Sequence, residues 1–120
     1  MGEIPYRAGE IARAVFLVLA RRKLIGSQEL AYLQSVKSAT DMGTHGFPVL
    51  REFSVGEAEQ GLDRNGVRRY YSGYSLRIGR KDYLLCSQFK PSKKDSLMSF
   101  VESLGIKRSE ILSICDSANS

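Results

Sequence analysis

One histidine, two cysteines and thirteen carboxylates are the groups through which this 120-residue chain could do acid–base, nucleophilic or metal chemistry. Their spacing assembles no known reaction centre. A structural zinc site takes four Cys or His ligands at short spacing, but Cys86, Cys115 and His45 lie far apart. An HNH-type nuclease takes more than one histidine, and His45 stands alone. A PD-(D/E)xK nuclease takes a lysine two residues after an acidic one, and none of the thirteen acidic residues has one there. The phosphate-cradling GxxxxGK[ST] and GxGxxG loops are absent. Glu57, Glu59 and Asp63 could pair around a metal, but the segment reads better as a solvated loop. The expectation is a non-enzyme with no catalytic residue, metal or cofactor.

The charge is more informative. The net +5 is unevenly placed. Residues 1–60 hold seven basic and seven acidic side chains, and residues 97–120 hold two and three. Residues 61–96 hold nine basic against three acidic, so the whole positive excess lies there. The same segment carries Tyr70, Tyr71, Tyr74 and Tyr83, four of the six tyrosines. Arginine interleaved with tyrosine suits a surface that pairs with phosphate and stacks on bases. The candidate nucleic-acid-binding residues are Arg68, Arg69, Arg77, Arg80, Lys81, Lys93 and Lys94. The bland alternative is a solvated basic hairpin that serves solubility.

Hydrophobic periodicity supplies the elements that must position these groups. Arg7 to Lys23 reads as a helix with Ile11, Val15, Val18, Leu19 and Arg22 on one face. Phe16 and Leu17 widen the apolar stripe, which predicts burial in the core or in a homodimer contact. Gly26 suits a left-handed cap, and Ser27 suits the N-cap of a second helix over about 28–39, burying Leu30, Leu33 and Val36. Residues 40–48 read as a loop. Residues 48–53 favour a short helix begun by Pro48, although Val49, Arg51, Phe53 and Val55 also alternate as an edge strand would.

The clearest pattern is a hairpin. Tyr74, Leu76 and Ile78 alternate on one strand, and Tyr83, Leu85, Ser87 and Phe89 on the next, with Gly79 to Asp82 between them. Ile78 facing Tyr83 puts the apolar residues of both strands on one side. Gly73 marks a bulge in a first strand that extends back toward Val67. Ser92 begins a helix with Leu97, Phe100, Val101 and Leu104 on one face, closed by Gly105 with Ile106 as its apolar contact. Ser109 opens a short tail element, frayed from Asp116.

The reading is one α+β domain over 1–120, with two or three N-terminal helices, a β-hairpin or three-stranded antiparallel sheet, then a C-terminal helix. Across about 7–104 this order resembles the winged helix-turn-helix group, which implies DNA binding with a hairpin wing. Residues 47–60 depart from that pattern, since Arg51 is their only basic group. The wing would then hold most phosphate contacts. The longest apolar run, Ala14 to Ala20, is far shorter than the about 20 residues a membrane helix needs. The expected partners are DNA or RNA and a second copy of the chain, with no membrane, in the cytoplasm. A protein–protein interaction module is the alternative.

Overall fold

The computed structural model describes residues 4–53, Leu62 and 65–119. In chain order, α1 spans Ala8–Arg21, α2 Ser27–Leu33, α3 Val36–Met42, β1 Leu50–Phe53, β2 Tyr70–Ile78 and β3 Lys81–Cys86. A 3₁₀ turn at Pro91–Lys93 leads into α4, Lys94–Ser103, and α5 follows at Arg108–Ala118. The chain is α+β, with helices before and after one antiparallel sheet of order β1-β3-β2.

α1 forms the centre of the helical layer. Its Ile11, Ala12, Val15, Phe16 and Leu19 are fully buried. Glu10 Oε1 accepts from the Arg7 amide at 2.8 Å, which satisfies one of the orphan donors at the helix start. The helix ends in a Schellman motif: the Leu24 amide donates to the Leu19 carbonyl and the Lys23 amide to the Ala20 carbonyl. The left-handed residue is therefore Lys23, at φ 57°, and not Gly26. Gly26 is extended and starts α2 instead, its amide donating to Glu29 Oε1 at 2.9 Å. The wide apolar stripe of α1 is met mostly within the chain, by α5, β2 and α4, which removes the reason for expecting a homodimer contact there.

The single helix expected over 28–39 is two. Ser35 is extended at φ −98°, ψ 159°, and its hydroxyl donates to the Tyr32 carbonyl at 2.5 Å while accepting from the Ser38 amide at 3.4 Å. A side chain that bonds its neighbours' backbone in this way offers an alternative to continuing the helix. The chain turns, and Val36, expected inside, becomes 63% exposed at the start of α3. α3 runs to Met42, past the expected loop boundary, and Gly43 closes it at φ 70°. The buried Ser38 hydroxyl donates its one hydrogen toward the Ser35 carbonyl at 2.8 Å, with the Leu33 carbonyl 3.1 Å away, and accepts from the Val49 amide at 3.3 Å, tying α3 to the entry of β1.

Residues 50–53 form strand β1, not the helix favoured from Pro48, so the third helix of a winged-helix arrangement does not lie there. Four residues are too few for periodicity to separate strand from helix. Pairing with β3 decides it, with Leu50 opposite Leu85 and Phe53 opposite Asp82. In the hairpin, Ile78 pairs with Lys81 and Leu76 with Tyr83, so the connection is the two residues Gly79-Arg80. This is two residues tighter than expected. Because side chains alternate with period two, the apolar residues keep their face. Gly79 at φ 65° supplies the positive φ that tight hairpin turns demand. The bulge falls between Tyr70 and Ser75, with Gly73 at φ 68°.

The sheet has two unlike faces. Leu50, Leu76, Tyr83 and Leu85 join the main core under α1, α4 and α5. Tyr74 fixes this contact, its hydroxyl donating to the Arg13 carbonyl at 2.5 Å. Tyr70, Leu84 and Cys86 point the other way and form a second, smaller cluster with Phe47 and Phe53. α5 continues to Ala118 rather than fraying from Asp116, whose carboxylate accepts from the Tyr6 hydroxyl at 2.5 Å. Gly105 closes α4 at φ 104°, its amide donating to the Glu102 carbonyl at 3.0 Å, and Ile106 after it is fully buried.

Candidate nucleic-acid interface

The face of the sheet away from α1 carries most of the basic chemistry that the strands position. Strand alternation sets it out in rows. Arg51 on β1, Leu84 on β3 and Ser75 on β2 form one row, and Phe53, Asp82 and Arg77 the next. Tyr70 and Cys86 follow beyond the bulge. Phe47 and Phe53 are half-buried at the margin of this face, and Arg51 and Arg77 are exposed.

Two guanidinium groups rest near aromatic rings here. Arg69 lies 4.9 Å from the Phe47 ring centroid and donates to Gln88 Oε1 at 3.0 Å. Arg51 lies 6.0 Å from the Tyr70 ring centroid. Both line one cleft of about 300 Å³, with Phe47, Tyr70, Gln34 and Leu62 among its other walls. The Tyr70 ring is buried and its hydroxyl donates to the Pro48 carbonyl at 2.8 Å. Burial raises the hydroxyl well above its ordinary range, so it stays protonated and holds the ring as a rigid wall.

The seven candidates read from sequence do not form one patch. Arg77 stands on the helix-free face, 2.9 Å from the Asp82 carboxylate directly across the hairpin. Arg69 borders the cleft, and exposed Arg68 precedes it, its guanidinium 3.5 Å from the Tyr70 carbonyl oxygen. Arg80 is exposed in the hairpin turn. Lys81 beside it belongs to the other face and pairs with Glu52 at 3.4 Å. Lys93 packs its stem against Gly43. Lys94 donates to the Ile4 carbonyl at the start of α4.

The tyrosines expected to stack are committed to packing. Tyr83 is in the main core, and Tyr71 and Tyr74 lie against α1, with Arg13 4.9 Å and 5.6 Å from their ring centroids. The aromatic edges that remain at the surface of the basic face are Phe47 and Phe53. The sequence reading missed these and Arg51. The signal that finds Arg51 and Phe53 is the Val49-Arg51-Phe53 alternation, which a helix over 48–53 scatters.

His45 is exposed at φ 54° on the loop after α3. Among the described residues no three His, Cys, Asp or Glu side chains gather to hold a metal ion. Glu57, Glu59 and Asp63 lie outside the described residues. Cys86 and Cys115 are unbonded and buried, and burial pushes both thiols up to about 11. Neither is thus the low-pKa, accessible thiol that nucleophilic work demands. No helix among the described residues is long and apolar enough to cross a membrane. No known protein-family model, curated protein or solved structure matches the chain.

Proposed function

We propose that this is a small non-enzymatic nucleic-acid-binding protein that uses the helix-free face of its sheet, with the basic β2–β3 hairpin at the rim. The observation that carries the reading is the pair Arg51 and Arg69, each near an aromatic ring at one cleft where the β1 edge of that face meets the end of α2. A planar guanidinium held against a ring keeps its fork ordered, so less entropy is lost when it bonds a phosphate. Exposed Arg68 adds charge beside the cleft, while Arg77 on the same face is neutralised by Asp82 across the hairpin at 2.9 Å. The half-exposed Phe47 and Phe53 supply π-faces. This arrangement replaces the hairpin tip as the expected centre of phosphate contact, because Lys81 is engaged by Glu52.

The test is fluorescence anisotropy with labelled DNA and RNA oligonucleotides at about 50 mM salt, repeated at rising salt. Binding that weakens linearly in the logarithm of salt supports the reading. No binding of either nucleic acid at micromolar protein rejects it, and leaves an interaction module whose basic hairpin meets an acidic protein.

A further inference from the structure

We infer that the cleft between Arg51 and Arg69 receives one unpaired nucleotide, so that the protein prefers single-stranded over duplex nucleic acid. The inference rests on the proposed nucleic-acid reading and goes beyond it in naming the form of the ligand. The cleft's volume of about 300 Å³ lies at the lower end for small-molecule sites. That is room for one base and its sugar, not for the edge of a double helix.

The walls have the chemistry of such a guest. Half-buried Phe47 offers the apolar ring against which a base stacks and excludes water, and the buried Tyr70 ring backs the cleft from beneath without an open face of its own. Arg51 and Arg69 border the same cleft with guanidinium groups suited to the flanking phosphate. Gln34, at the end of α2, brings a side-chain amide whose donor and acceptor match the polar edge of a base. Its contact with the Leu30 carbonyl, at 3.4 Å, is long and easily exchanged. Glu52 also lines the cleft, but its carboxylate is held by Lys81 at 3.4 Å. A paired base inside a duplex cannot enter, because its faces are covered by its neighbours and its edge by its partner.

The experiment measures affinity for a 12-nucleotide mixed-sequence single strand and for the same strand annealed to its complement, as DNA and as RNA, at one salt concentration. The proteins are the wild type, Arg51→Ala, Arg51→Lys and Arg80→Ala, each checked for folding by circular dichroism. The wild type binds the single strand about tenfold more tightly than the duplex or better, in at least one of the two chemistries. Arg51→Ala removes most of that preference. Arg51→Lys keeps the salt dependence but loses the preference, since an ammonium has no planar fork. Arg80→Ala weakens both forms alike. Equal affinity for the two forms, or an Arg51→Ala loss shared equally by both, overturns the cleft and leaves the nucleic-acid reading standing. No binding to either form overturns both.

Discussion

The Arg69 guanidinium sits 4.9 Å from the centroid of the Phe47 ring, and the two residues join the loop before β1 to the start of β2 across the helix-free face of the sheet. Gln88 anchors the same guanidinium at 3.0 Å. Phe47→Leu keeps apolar bulk over Tyr70, Leu84 and Cys86 but deletes the π-face. Stability should fall by less than about 1.5 kcal/mol, as for a near volume-conserving exchange. Affinity for single-stranded oligonucleotide should fall about fivefold or more, the lower bound for one base–aromatic stack. Urea melts and anisotropy on the same preparation check both.

Gly43 is a position where a side chain does not fit. Its φ is 70°, and a Cβ there would stand 2.6 Å from Lys93 Cγ and 2.9 Å from Lys93 Cβ. Gly43→Ala combines a left-handed alanine with a clash, so it should cost about 2 kcal/mol or more. Gly46→Ala, at φ 85° with nothing nearby, meets only the backbone penalty and should cost about half as much. Thermal midpoints of the two variants separate the contributions, and equal losses would mean that the Lys93 contact does not matter.

Ser38 joins α2, α3 and β1 through one buried hydroxyl. Ser38→Ala leaves the Val49 amide without its partner at the entry to β1. Leaving a buried donor unsatisfied costs about 1–3 kcal/mol. The denaturant midpoint should fall with an unchanged m-value.

Alkaline pH should unfold the protein earlier than a solvent-exposed thiol would suggest. Burial raises both thiols to about 11 in the folded chain, while in the unfolded chain they titrate at about 8.5. A raised pKa favours the folded state as long as the group is neutral. The contribution is full below the unfolded value and is lost as pH rises toward the folded value. Unfolding free energy should therefore hold to about pH 8 and decline between about pH 9 and 11, with each thiol adding a slope of up to about 1.4 kcal/mol per pH unit. Cys86→Ala/Cys115→Ala should flatten the decline. Urea titrations from pH 7 to 11 measure it, and an unchanged slope in the double variant would refute it.

Much of this architecture is legible from spacing alone. The α1 stripe, the alternating hairpin and the α4 face each run long enough for their period to be read. Their buried residues are Ile11, Val15, Leu76, Tyr83, Leu85, Leu97 and Val101. What spacing hides is local competition. Ser35 breaks a helix whose apolar pattern continues through Val36. Lys23, not a glycine, takes the left-handed cap because the Schellman bonds hold it there. β1 is too short to declare itself before β3 pairs with it. The candidate site suffers most, since the charge count along the chain ignores alternation. Arg77 and Lys81 are four residues apart yet face opposite sides of the sheet. Arg51 lies outside the basic segment yet lines the same cleft as Arg69.

The most direct measurement is the log–log salt dependence of oligonucleotide binding for two double variants. If the face of the sheet away from α1 binds phosphate, Arg51→Ala/Arg69→Ala lowers the slope by more than Arg80→Ala/Lys81→Ala does. Arg80→Ala/Lys81→Ala lowers it by about 1, because Lys81 is already paired with Glu52. A slope unchanged in the first pair and reduced by about 2 in the second would move the interface to the hairpin tip, and no binding at about 50 mM salt would contradict a nucleic-acid ligand altogether.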